Sequence, residues 1–295
     1  MATGMWTSVA GATAQMQNVE TIANNLANAD TLGFKKDMPT FKEYLATLER
    51  EKGAADIPRG PIKDKEFYPL DGKDQAFVVV DGSYTNFRQG AMKTTQSPLD
   101  VALDGPGMIE VSTPSGIRYT RQGSLKMAMD GRLVTSDGYP VLSAQPGGLA
   151  VPQDPGAQGG AAPGRTPAGA TNAEVAARFI NLRDRGGNVT INGIGDIYAG
   201  DEPLGRLSVV EFRDLKGLRK AGNGVFENRD PNNIVVSQAP QQTQVRQGLL
   251  ETSNVNPIEE MTNLIKANRM FEQDLKAMKT YSDLMGREAN DIGKL

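Results

Sequence analysis

Asp100, Asp104, Glu110 and Asp130 come nearest to a catalytic set in this chain, since glycoside hydrolysis needs only two carboxylates at a suitable separation. Three of these acids, however, stand where turns and strand ends take Asp for its short hydrogen-bonding side chain. The glycines at Gly147-Gly148 and from Gly156 to Gly164 invite a phosphate-loop reading, but no Gly-Lys-Ser/Thr follows and no strand-to-helix turn is implied. Composition makes that stretch a flexible linker. Histidine and cysteine are absent, which removes thiolate nucleophiles, Cys/His zinc sites, disulfides and Ser-His-Asp triads together. No catalytic residue, metal ligand or cofactor is assigned, and the chain reads as a non-enzyme. A periplasmic carboxylate-based glycan hydrolase is kept as the alternative from a different class.

What would have to position any site is a chain of 295 residues with formal net charge -3, long enough for real cores beyond its terminal helices. A pI near 5.3 gives no global field that would gather nucleic acid or an anionic membrane, so neither is expected as a partner, nor is a small-molecule substrate. Hydrophobic residues make up 38% and aromatics 6%, with 33 Gly and 17 Pro, a mix suited to turn-rich β-structure. Residues 1–14 lack a basic region followed by a continuous apolar run, so an ordinary cleaved export signal is not expected.

The two ends carry the same helical pattern. Met5, Val9, Ala12, Met16, Val19, Ala23 and Leu26 alternate spacings of four and three, as do Met261, Leu264, Asn268, Phe271, Leu275, Met278, Ser282 and Met285. The first helix is expected from Thr3 to Asn28, ending where Asp30, Thr31 and Gly33 supply turn chemistry. The last should start at Asn256, with Pro257 in the first turn and Glu259 and Glu260 on the positive end of the dipole, and run to about Asn290 with Gly286 as its weak point. Thr40 to Arg50, with Phe41, Tyr44, Leu45 and Leu48, predicts a second short helix, and Gly53 to Lys65 a loop.

Between them the period changes to two. Strands are expected at Ala76–Val80 (closed by Asp81-Gly82), Leu99–Leu103, Met108–Val111, Arg118–Arg121, Ser124–Met129, Arg132–Thr135, Asn188–Ile191, Leu207–Phe212 and Asn233–Val236. Asp130-Gly131 marks the strongest hairpin, and Asn192-Gly193 and Asn223-Gly224 mark further turns. Gln145 to Ala170 has almost no large apolar residue to bury, and Ala173 to Asp184 fits neither pattern. The expected class is α+β: terminal helices pairing as a coiled coil, with a central antiparallel sandwich or barrel-like domain. The expected division is 1–35 for the N-terminal helix, 36–74 for a linker, 75–247 for the β-domain and 248–295 for the C-terminal helix.

Four segments in order resemble a known family. Ala23-Asn24-Asn25-Leu26-Ala27-Asn28 followed by Thr31-Leu32-Gly33-Phe34-Lys35 is similar to the amino-terminal signature of bacterial flagellar basal-body rod and hook proteins. Ser97 to Gly105, and Tyr119-Thr120-Arg121-Gln122-Gly123 continued through Asp130 to Leu142, resemble the family's central motifs. Gly248 to Asn256 resembles its carboxyl motif. Length and the Phe87-Arg88-Gln89-Gly90 to Thr94 approach look most like proximal-rod members, with distal-rod members next and hook subunits as a further alternative. Met108-Ile109, where members commonly carry aromatics, and the Gln145 to Ala170 tract are departures.

The resemblance implies a structural subunit whose terminal helices form an inner tube inside an outer β-layer. It also implies self and other rod subunits as partners, the flagellar type III apparatus as the export route, and the periplasmic rod as the location. The implied assembly interface is the two helical stripes together with Asn24, Asn25 and Asn28 of the signature. Thin stripes of Met, Ala, Asn and Ser bury little within one molecule, so ordering of the helices is expected to be coupled to assembly, by head-to-tail contacts that propagate. A monomeric coiled-coil binding module is the remaining reading.

Overall fold

A computed structural model of the chain describes residues 2–46, 75–144, 175–182, 189–235 and 240–292. Two units make up the fold. One comprises Met1–Leu26, Asp37–Tyr84 and Pro257–Leu295, the other Ala27–Lys36 and Thr85–Asn256. The architecture is α+β, with one long helix at each end of an antiparallel β region.

In the first unit, helix α1 covers Ala2–Ala27, close to the expected bounds. Its sequence is proline-free and rich in Ala, and Glu20 is its one acid or base. Helix α2 covers Pro257–Ile292, opening on the proline with Glu259 and Glu260 in the first turn, and it runs through Gly286 unbroken. A Cβ built on Gly11 would stand 3.2 Å from Asp274 Oδ2, so α1 and α2 come within side-chain reach at that point.

The short helix expected at Thr40 to Arg50 is a strand instead. β1 (Asp37–Ala46) pairs with β2 (Gln75–Thr85) in a two-stranded ribbon. Pro39 does not by itself forbid a helix from Thr40, because the first turn of a helix needs no donor there; pairing with β2 decides the outcome. Thr40, Phe41 and Tyr44 favour extended backbone, and β2 offers a partner. Across the ribbon, Thr40 Oγ1 donates to the Gly82 carbonyl at 3.1 Å and the Tyr84 hydroxyl to Met38 Sδ at 3.3 Å. Asp81-Gly82, expected to close a strand, lies inside β2. Thr47–Arg50 and the Gly53 to Lys65 loop lie outside the described residues, as does the Gln145 to Ala170 tract.

The second unit is organised by a six-stranded antiparallel sheet. Its order is β13 (Leu218–Lys220), β14 (Val225–Asn228), β6 (Gly116–Thr120), β5 (Met108–Thr113), β12 (Val209–Phe212) and β15 (Ile234–Val235). Alternation along β5 sends Ile109 and Val111 into a core with Val101, Leu103, Leu133 and Leu207, while Met108 enters a second core with Tyr119, Phe212 and Phe226. Tyr119 and Phe212 meet edge-on at 4.9 Å. A smaller sheet runs β11 (Glu202–Arg206), β10 (Asp196–Ala199), β9 (Val189–Ile191). The expected hairpin at Asp130-Gly131 joins β7 (Leu125–Met127) to β8 (Leu133–Thr135), with Gly131 at φ 85°. Residues 175–182, ambiguous in sequence, return along β8: Leu133 N–H donates to the Ile180 carbonyl at 2.9 Å and Leu182 N–H to that of Gly131 at 2.8 Å.

Two ribbons bring the segment before α2 back to earlier strands. β16 (Gln244–Gln247) pairs with β4 (Val101–Asp104), and β17 (Leu249–Glu251) pairs with β3 (Met92–Thr94).

Candidate assembly interface

Each helical stripe divides into two rows of seven-residue spacing that meet different fates. On α1, Ala12 is buried and Val19 and Leu26 are half-buried, whereas Met16 (53% exposed) and Ala23 are open; Val9 is half-buried. On α2, Leu264, Phe271, Met278 and Met285 are half-buried, whereas Met261 (52%), Asn268, Leu275 (37%) and Ser282 are open. Met5 lies on α1 with its side chain outside the described residues. A single seam was expected; the helices cover one row and leave most of the neighbouring one bare, Val9 excepted. Trp6, Ile258 and Ile265 enlarge the apolar surface left open on these helices.

The signature asparagines are not equivalent. Asn24 is exposed and Asn28 half-buried, but Asn25 is buried and grips the start of β1: its Nδ2 donates to the Asp37 carbonyl at 2.8 Å and its Oδ1 accepts the Asp37 N–H at 2.9 Å. Asn25 therefore holds the chain's own turn rather than a free surface.

In the second unit a buried ionic cluster was missed by sequence reasoning. Lys35 Nζ donates to Glu251 Oε1 at 2.5 Å and to the Arg88 carbonyl at 2.9 Å. Glu251 Oε1 also accepts the Gly90 N–H at 2.8 Å, and Oε2 accepts from Arg121 Nη1 at 3.3 Å. Arg121 reaches the Leu103 and Gly105 carbonyls as well. The side chains of Lys35 and Glu251 are wholly shielded and that of Arg121 is 2% exposed. Burial pulls both cations below their ordinary pKa, with the charge of Glu251 opposing it. Around them the Gly33 N–H donates to the Glu251 carbonyl at 2.9 Å and the Lys36 N–H to Asn254 Oδ1 at 2.8 Å. Lys220 stands 4.0 Å above the Phe34 ring. A signal was present in sequence, a charge set within Gly33-Phe34-Lys35 and Leu249-Leu250-Glu251, but partners more than two hundred positions apart carry no local spacing.

The four candidate acids do other work. Glu110 is held by Arg178 and by the Ser208 hydroxyl at 2.7 Å, inside the sheet; Asp104 faces Arg246 at 3.3 Å; Asp130 is bound by Arg132, whose hydrogen bonds hold its carboxyl below the usual range. Asp100 sits in a backbone bridge to Ser124. Glu110→Gln should strand the Arg178 charge in the core and cost about 3–5 kcal/mol, read as a lowered urea midpoint.

Three family profiles match in order: "Flagella basal body rod protein" over residues 5–35, "Flagellar hook protein FlgE/F/G D1 domain" over 102–199, and "Flagellar basal body rod FlgEFG protein C-terminal" over 246–292. The flagellar basal-body rod protein FlgG of Borreliella burgdorferi is 30% identical over 292 residues, spanning 97% of both chains. This chain belongs to the flagellar basal-body rod protein family. FlgF of Caulobacter vibrioides is 30% identical across 95% of this chain and 93% of its own length, and FlgG of Bacillus subtilis 26% identical across 98% and 99%. The rod family's segments map onto the structure directly: one profile holds α1 and Lys35, the next Arg121, the last Glu251 and α2. The protein is a structural subunit of the flagellar rod, resident in the basal body and assembling with other rod components.

Proposed function

We propose that the chain is an axial, non-enzymatic subunit whose terminal helices pair as a coiled coil and pack against those of neighbouring copies and other rod subunits. The β region then forms an outer, sandwich-like layer, and together the layers pass torque from motor to hook and so support motility. What carries this reading is the bare row on each helix, Met16 and Ala23 on α1 and Met261, Asn268, Leu275 and Ser282 on α2, beside a covered row of the same spacing. A protein with no neighbours to meet would gain nothing from leaving that row apolar in part. The subunit reaches the periplasmic rod through the flagellar type III apparatus. It has no nucleic-acid or small-molecule partner. Among rod positions, the proximal one fits the Phe87-Arg88-Gln89-Gly90 approach best.

Substituting Met16→Asp or Met261→Asp tests the reading. Both positions are half or more exposed in the single chain, so monomer stability should shift by no more than about 0.5 kcal/mol. Incorporation into basal bodies and swimming should be lost. Normal rods built from either variant would count against a helical interface on these rows.

A further inference from the structure

Lys35, Arg121 and Glu251 come from three places in the chain: the stretch that leaves α1, the turn after β6, and the strand just ahead of α2. All three are shielded from water, and the one carboxylate answers two cations. Ions buried this way each forfeit several kcal/mol of hydration, returned only when every partner is in position. The same segments are knitted by backbone groups, Gly33 to Glu251 and Lys36 to Asn254, while Asn254 Nδ2 donates to the Asn86 carbonyl at 2.8 Å. The glycines here admit no substitute geometry: a Cβ at Gly90 would stand 2.0 Å from the Thr252 carbonyl oxygen, and one at Gly33, at φ 67°, would stand 2.7 Å from the Arg121 carbonyl carbon.

We infer that this trio is a clasp making closure of the second unit conditional on both the segment that leaves α1 and the segment that leads into α2. The segment bearing Lys35 and the segment bearing Glu251 must both dock on Arg121 before this part of the unit closes. Without Glu251, Lys35 and Arg121 are two like charges driven into one dry pocket, so the segments stay apart. The clasp turns the arrival of the carboxyl-terminal motif into the closing event. This inference stands whether or not the helices assemble as proposed, because it concerns one molecule.

The full-length chain and its Glu251→Gln, Lys35→Met and double variants test it by hydrogen exchange at the Gly33 and Lys36 amides. Glu251→Gln should speed exchange there by roughly 100-fold or more, since it leaves two buried cations facing an amide. Lys35→Met should do far less, because Arg121 and Glu251 remain as a neutral pair. The double variant, with one cation left, should recover much of the protection lost in Glu251→Gln. If Glu251→Gln does not fold at all, recovery of a folded, protected double variant supports the clasp. Parent-like exchange in Glu251→Gln, damage from Lys35→Met equal to it, or a double variant no better than Glu251→Gln would each overturn it.

Discussion

Gly123→Ala should unfold the second unit at room temperature. A Cβ there would stand 1.6 Å from the Val101 carbonyl oxygen, far inside any van der Waals contact. Backbone is the obstacle, so no rotamer change relieves it. The two segments are bound at that place by the Val101 N–H donating to the Gly123 carbonyl at 2.9 Å, and separating them tears β4 from the core that Val101 and Leu103 fill. The loss should exceed about 4–5 kcal/mol, which approaches the whole stability of an ordinary domain. Gly193→Ala is the matched control, since nothing lies within 4 Å of its Cβ position, and it should unfold in urea close to the parent. A cooperative, parent-like transition for Gly123→Ala would show that the strands can part without cost.

Removing residues 1–28 should abolish incorporation into the rod while the second unit stays folded. The deletion takes away α1 with its bare and covered rows, yet leaves Gly33, Lys35 and Lys36 to make their bonds with Glu251 and Asn254. Basal bodies from cells making the truncated chain should contain none of it, and the Gly33 and Lys36 amides of the purified chain should remain protected from exchange. Retained incorporation would sink the interface on α1.

Both helices were legible because their signals are local: a three-four spacing sustained over many turns, and at Pro257 a start with acids behind it. The hairpin of β7 and β8 was legible through Asp130-Gly131 for the same reason. Strands β3, β10, β11, β13, β14, β16 and β17 were not foreseen. They are short and carry residues such as Arg219, Glu227 and Arg246 that show no apolar alternation, and partners elsewhere in the sheet decide them. The stretch at Thr40 is extended although Phe41, Tyr44, Leu45 and Leu48 fit a helical face, because its partner β2 comes from a distant part of the sequence that local spacing does not show. In the helical stripes the spacing was visible but not its division, since a covered row and a bare row seven apart have the same periodicity. Only packing separates them.

Glu20 is the one ionisable side chain on α1. Contacts made through that helix are therefore close to blind to ionic strength and to acidity, because Debye screening has a single side-chain charge to act on. Helix α2, with Lys266, Arg269, Glu272, Lys276 and Lys279 along it, carries whatever response to salt the terminal helices have. A joint built on the first helix keeps its grip in fresh water and in brine alike.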